Sequence, residues 1–123
     1  MGLTEFRPRY FNAVEHADVA VVKFEISHLN DEENIEELGH DLFALVDQFG
    51  FRKVVLNMGT VEYVTSSVVG KIITLHRKLH RSEGQLVISN LTPGVNEILY
   101  ASRLLSYFKV VPTQTEALAS LIA

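Results

Sequence analysis

The chain has 123 residues, of which 47% are hydrophobic, so it is long enough for one domain with a sizeable core but not for two. Its 11 Lys and Arg against 15 Asp and Glu give a net charge of −4, which excludes the diffuse basic surface that attracts nucleic-acid phosphates. The absence of cysteine excludes disulfides, thiolate metal ligands and a thiol nucleophile.

The N-terminal residues 1–9 carry charged side chains such as Glu5 and Arg7 and lack the apolar run of a signal peptide. No later segment approaches the ~18 uncharged apolar residues of a membrane-spanning helix. No repeat or Pro-, Gly- or Ser-rich linker divides the sequence. We therefore expect a cytoplasmic protein that does not enter a membrane, with a single domain over residues 1–123.

The first half of the chain predicts two strands and a helix. Residues 10–15 and 19–26 flank a short turn, and apolar and charged residues alternate in the second of these segments, which is typical of a strand pair. Asn30 followed by Glu33 resembles a capping box, and apolar residues then recur at helical spacing until Gly50. This predicts an amphipathic helix.

The first helix is rich in acidic residues, with no Lys or Arg between them. Acids near a helix N-terminus favour its macrodipole, so a solvated and well-started helix explains them. An acidic docking face is the other interpretation. The acids concerned are Asp31, Glu32, Glu33, Glu36, Glu37, Asp41 and Asp47.

The second half alternates strands and helices. Continuous apolar runs at 54–56 and 86–88 predict strands buried on both faces, and a third strand is predicted at 108–111. The helices predicted between and after them begin at Ser66, Pro93 and Thr115. This alternation is typical of an α/β fold whose sheet is mixed but mostly parallel, with an antiparallel opening pair.

Three consecutive hydroxyls stand where the second long helix begins: Thr65, Ser66 and Ser67. One of them could cap the helix, which stabilises it by ~1 kcal/mol. Alternatively, one accepts a phosphoryl group, which adds a charge of about −1.5 to −2. A helix N-terminus favours that charge, whereas burial in an interface without basic partners disfavours it. Phosphorylation would then break a complex without unfolding the domain.

The pair His76 and His80 has the spacing that places two imidazoles on one helix face. Arg77 and Lys78 lie between them and would oppose a metal ion, so we expect a solvated helix face, with no metal and no cofactor. No glycine-rich phosphate loop or nucleophile motif occurs either. The sequence gives no support for an enzyme.

Four segments in the second half resemble the STAS domain family of bacterial anti-sigma factor antagonists: VVLN at 54–57, VTSS at 64–67, GQLVISNLTP at 84–93 and FKVVPT at 108–113. The resemblance implies a mixed sheet of about five strands with about four helices. It also implies a partner-switching module, which binds an anti-sigma factor with serine kinase activity and is released when that kinase phosphorylates a Ser or Thr at the helix start. A phosphatase reverses the mark.

Ser66 occupies the position of the phosphorylated residue in the family, with Thr65 as the alternative. The resemblance also predicts that the partner binds the loop and helix start at 60–69. The predicted partner-binding residues are Thr60, Glu62, Tyr63, Thr65, Ser66, Ser67 and Val69.

The chain departs from the family's usual switch motif, which reads Asp, Ser or Thr, Ser or Thr, Gly. Thr65 replaces the Asp, which removes a charge and a strong capping acceptor, and β-branched Val68 replaces the Gly. We therefore expect Val68 to hinder close approach by a kinase. Two alternatives stay open: an unphosphorylated scaffold that self-associates, for example as a homodimer, and a sensor of a small ligand.

Overall fold

A computed structural model describes residues 3, 6–29 and 35–122, which form seven strands and four helices. The strands are β1 (Phe11–His16), β2 (Val19–Phe24), β3 (His28–Leu29), β4 (Lys53–Asn57), β5 (Tyr63–Val64), β6 (Gln85–Ser89) and β7 (Lys109–Val111). The helices are α1 (Ile35–Asp47), α2 (Ser66–Arg81), α3 (Pro93–Ala101) and α4 (Gln114–Ile122).

Five of the strands form one mixed sheet in the order β1-β2-β4-β6-β7. β1 runs antiparallel to β2, and the other neighbours are parallel. β4 is central, with Val55 paired to Val21 on one side and to Val87 on the other. This confirms the predicted α/β fold, its mostly parallel sheet and its antiparallel opening pair.

The two faces of the sheet bury different helices. Leu56 of β4 and Ile88 of β6 belong to the main core, together with side chains of α1, α2 and α3. Val55 and Val87 point the other way and pack with Ala117 of α4. The central strand β4 is therefore apolar at its three middle positions, as the unbroken run at 54–56 predicts.

The predicted second strand is too long. It ends at Phe24 instead of Ile26, and the chain leaves the main sheet after the backbone N–H of Glu25 donates to Tyr10 O at 3.0 Å. The next residues form β3, which pairs in parallel with β5 in a separate two-stranded sheet. The sequence patterns predict neither of these two short strands.

Ion pairs join α1 to its surroundings. Lys71 Nζ of α2 lies 2.7 Å from Glu36 Oε1, and Lys78 Nζ lies 2.9 Å from Asp47 Oδ2. Glu37 pairs with Arg9 at 3.2 Å. These acids therefore have partners within the chain, which favours a solvated, internally paired helix over an acidic docking face. The predicted capping box and Asp31, Glu32 and Glu33 lie outside the described residues.

Within the part of the chain that the structure describes, no helix is both long and apolar enough to cross a membrane.

Alanine substitutions at two glycines should change the stability of the domain in opposite directions. A Cβ on Gly84 would stand 2.2 Å from Arg52 O, because the turn before β6 passes directly over the residue before β4. A Cβ on Gly70, inside α2, would meet nothing within 4 Å. We expect Gly84→Ala to lower the free energy of unfolding by about 1–3 kcal/mol through overpacking.

Gly70→Ala is the matched control, and it should raise the free energy of unfolding by about 0.5–1 kcal/mol because alanine favours the helix. Urea denaturation followed by circular dichroism measures both. Equal effects of the two substitutions would contradict the close contact at Gly84.

Candidate functional site

The candidate site is built on residues 58–65, which connect β4 to α2 and are called the connecting segment below. Its first residues follow the carboxyl end of the central strand, where Met58 N–H donates to Ser89 O at 2.9 Å. Val61 N–H then donates back to Met58 O at 3.0 Å, which closes a tight turn. The segment therefore begins with its backbone fixed to the sheet.

The middle and end of the connecting segment are fixed by the chain that precedes and forms β3. Ser27 O accepts hydrogen bonds from Glu62 N–H at 2.7 Å and from Tyr63 N–H at 3.2 Å. Leu29 O accepts one from Thr65 N–H at 3.2 Å. Backbone groups thus satisfy each other across this surface, and the helix start receives a defined position.

The start of α3 supports the connecting segment from the opposite side. Thr92 Oγ1 donates to Val61 O at 2.6 Å. Gly94 lies so close that a Cβ there would stand 2.4 Å from Glu62 O. A residue without a side chain is therefore required at 94 for α3 to pack against the segment.

The side chain of Asn57 joins the connecting segment to the far face of the sheet. Its Oδ1 accepts a hydrogen bond from Gly59 N–H at 2.9 Å, and its Nδ2 donates to Gln114 Oε1 of α4 at 2.8 Å. Asn57 is a buried polar residue, and these bonds compensate the cost of removing its amide from water.

The three hydroxyls at the start of α2 have different environments. Thr65 is the N-cap and is half-buried, and its Oγ1 accepts from Val68 N–H at 3.4 Å. Ser66 and Ser67 are exposed. The capping interpretation therefore holds for Thr65, which replaces the missing Asp as acceptor, while the other two hydroxyls face solvent.

Val68 does not obstruct this surface. Its side chain is 1% exposed and packs in the main core, so the expectation that it hinders close approach is wrong. The residue one turn after Ser66 on the helix surface is Gly70, which is exposed and has open space around it. A partner can thus approach the helix backbone closely beside Ser66.

The predicted partner-binding residues lie together in the connecting segment and the first turn of α2, and one of them is buried. Thr60 and Glu62 are exposed, and Tyr63 is 44% exposed. Val69 is 6% exposed, so its side chain offers little area to a partner. No observation tests the binding role of these residues, which stays a prediction.

His28 is a surface residue that sequence reasoning missed. It is exposed, it pairs with Tyr63 in the two-stranded sheet, and the two ring centroids are 6.1 Å apart. Ser27 Oγ lies 2.9 Å from its Nδ1. A two-residue strand has no measurable periodicity, so the sequence carried no signal that places His28 beside the site.

The electrostatics at the start of α2 favour an anion. The first turn of α2 contains no acidic residue, so no side chain of that turn compensates the positive end of the helix macrodipole. Unpaired N–H groups of a first helical turn are good donors to a phosphate.

In the second half of α2, one histidine packs against aromatic side chains. His76 is half-buried, with its ring centroid 4.9 Å from that of Tyr107 and 5.7 Å from that of Phe108. The predicted solvated face is therefore wrong for His76, although His80 is exposed. Within the described ranges, no three His, Asp or Glu side chains come together as metal ligands.

Comparisons with known proteins agree on one family. The sequence model of the STAS domain matches residues 10–117. The chain belongs to the STAS domain family. A putative anti-sigma factor antagonist of Bordetella bronchiseptica, BtrV, is 34% identical over 87 residues, which are 71% of this chain and 74% of the relative.

Solved structures share the STAS fold at lower identity. A putative anti-sigma factor antagonist from Thermotoga maritima has a TM-score of 0.83 at 22% identity, and the match covers 92% of this chain and 95% of that one. The phosphorylated form of the Bacillus cell fate determinant SpoIIAA has a TM-score of 0.68 at 18% identity, covering 89% and 97%. The fold of this STAS domain is thus that of anti-sigma factor antagonists, as the sequence resemblance indicates.

The packing of His76 predicts a pH dependence of stability. Burial of the ring, and then the nearby His80, lower the pKa of His76 below its ordinary value of 6.5. The unfolded chain therefore takes up this proton at a higher pH than the folded protein, so the free energy of unfolding falls as pH drops through about 6.5. The loss is complete once pH lies below the folded pKa.

Urea denaturation of the wild type and of His76→Gln at a series of pH values measures the contribution of His76 to the pH dependence of the free energy of unfolding. The variant should lack it, and an imidazole NMR titration should place the His76 midpoint below that of the unfolded chain. An equal or higher midpoint in the folded protein would contradict the assignment.

Proposed function

We propose that this STAS domain is a cytoplasmic anti-sigma factor antagonist that binds a kinase-like anti-sigma factor through the connecting segment and the start of α2. Phosphorylation of Ser66 releases the partner, and a phosphatase restores binding. The observation that carries the proposal is the exposed Ser66 hydroxyl at the first residue of α2, beside a backbone segment fixed by hydrogen bonds.

Exposure and helix position favour Ser66 over its neighbours. Thr65 is half-buried, and its oxygen is engaged in capping. Ser67 stands one turn before Lys71, on the side of α2 that pairs with Glu36 of α1. Ser67 is exposed as well, but Ser66 shares its helix face with Gly70, which has no side chain and leaves the helix backbone accessible.

A phosphate on Ser66 affects binding far more than folding. At the first residue of α2 the added charge lies near unpaired N–H groups, an arrangement worth roughly 0.3–1 kcal/mol in its favour. The same charge enclosed in an interface costs much more unless the partner supplies cations. The domain therefore stays folded while the complex dissociates.

The named relatives support this proposal. The Bordetella relative is described as a putative anti-sigma factor antagonist, and SpoIIAA has been solved in a phosphorylated and an unphosphorylated form. This chain has the same fold as those proteins, with a serine at the start of its second helix.

The test compares Ser66 with a serine outside the proposed interface. The partner is first captured from a native lysate, identified by mass spectrometry as an anti-sigma factor kinase and purified. Ser66→Asp should weaken its binding about ten- to a hundredfold, a change of about 1.4–2.7 kcal/mol, because the carboxylate becomes enclosed in the interface. Surface plasmon resonance measures the affinity, and thermal melting should stay nearly unchanged.

Ser106→Asp is the matched control, since it adds the same charge at an exposed serine outside the connecting segment and the start of α2 and should change the affinity by less than about twofold. Mass spectrometry of residues 60–70 after incubation with the kinase and ATP should place the phosphate on Ser66. Unchanged affinity of Ser66→Asp, together with no phosphate on Ser66 or Thr65, would overturn the proposal in favour of an unphosphorylated scaffold.

A further inference from the structure

The cations of α2 fall into two groups with different partners. Lys71 and Lys78 point toward α1, where Glu36 and Asp47 neutralise them. Arg77 and Arg81 are exposed and form no ion pair with the described residues. In a chain with a net charge of −4, two adjacent unpaired guanidinium groups are an unusual local concentration of positive charge.

These arginines line a cleft of about 290 Å³ together with two imidazoles and a phenol ring. Its lining residues are His76, Arg77, His80, Arg81 and Tyr107. The two arginines are one helical turn apart, and so are the two histidines, so both pairs are neighbours on the surface of α2. The cleft therefore has N–H donors from four side chains of one helix and an aromatic wall from the 107–108 turn.

Packing holds the floor of the cleft in place. The rings of His76 and His80 are stacked with centroids 6.1 Å apart and an angle of 19°. Tyr107 and Phe108 contact His76 from the other side. His76 Nδ1 is buried and has no hydrogen-bond partner among the described residues, although buried polar atoms ordinarily have one.

Helix capping does not account for these cations. Lys, Arg and His near a helix C-terminus commonly bond its last carbonyls. In α2 the carbonyls of Leu79 and His80 already have partners: Ser82 N–H donates to Leu79 O at 3.0 Å, Glu83 N–H to His80 O at 3.1 Å and Gly84 N–H to Leu79 O at 2.7 Å. The side chains of Arg77 and Arg81 are thus left available to a ligand.

We propose that this cleft is a binding site for a phosphate monoester dianion, with Arg77 and Arg81 holding the phosphate and Tyr107 contacting the group that it esterifies. Two fixed positive charges match a dianion, and guanidinium forks suit phosphate oxygens better than a single ammonium does. The volume is at the lower end of small-molecule sites and is too small for a folded segment of a partner.

The site is independent of the proposed function. Along α2 the rise from Ser66 to Arg77 is ~16 Å, so a ligand in the cleft does not touch the proposed phosphorylation site. Binding of phosphate at the cleft and loss of partner binding on phosphorylation of Ser66 can therefore each succeed or fail alone.

The test is a two-dimensional NMR titration of the labelled protein with sodium phosphate, and then with phenyl phosphate, at constant pH and ionic strength. The largest shifts should fall on residues 76–81 and 107. Arg77→Gln combined with Arg81→Gln should weaken binding by about tenfold or more, because each removes a charge-assisted hydrogen bond.

Arg52→Gln combined with Arg103→Gln is the matched control, because it removes the same two charges from exposed positions outside the cleft and should change the affinity by less than about twofold. If the double variant loses its fold, Arg77→Gln alone serves the same comparison. Phenyl phosphate should bind more tightly than inorganic phosphate, and Tyr107→Ala should remove the difference, whereas equal binding of the two phosphates would contradict the role of Tyr107.

Shifts that sodium chloride reproduces, or that centre on the start of α2, would overturn the proposal. So would an affinity for both phosphates that is unchanged when both arginines are replaced.

Discussion

The structure around the candidate site depends on backbone hydrogen bonds between the connecting segment and the chain at β3. Glu62, Tyr63 and Thr65 donate to the carbonyls of Ser27 and Leu29, which lie far from them in the sequence. Without these bonds, the link from β4 to α2 would be an ordinary surface loop. With them, the first turn of α2 is presented at a fixed position relative to the sheet, and a partner need not order it on binding.

In the proposed function, this arrangement separates partner binding from folding. The buried side chains of α2, such as Val68, Ile72 and Leu75, stabilise the helix against the sheet, while Ser66 contributes nothing to that packing. A change of charge at Ser66 therefore acts on the surface alone. Thr65 caps the helix, so the neighbouring hydroxyl of Ser66 has no structural role.

Much of the fold could be predicted from the sequence, because the strong signals are local. Apolar runs mark the buried strands β4 and β6, and Pro93 marks the start of α3 correctly. The helix start at Ser66 follows from the same patterns, whereas the choice of Ser66 among the three hydroxyls rests on the family resemblance. The pairing of β3 with β5 could not be predicted from the sequence, because backbone hydrogen bonds make it and a two-residue strand shows no hydrophobic periodicity. The burial of His76 depends on Tyr107, which only the tertiary fold brings near.

Amide hydrogen exchange of the isolated domain tests the central claim most directly, namely that the connecting segment is fixed before any partner binds. The amides of Met58, Glu62 and Thr65 should be protected to a degree similar to that of amides in β4, and Ser66→Asp should leave this protection unchanged. Exchange of these amides at the rate of an unstructured chain, or loss of their protection in Ser66→Asp, would contradict the account.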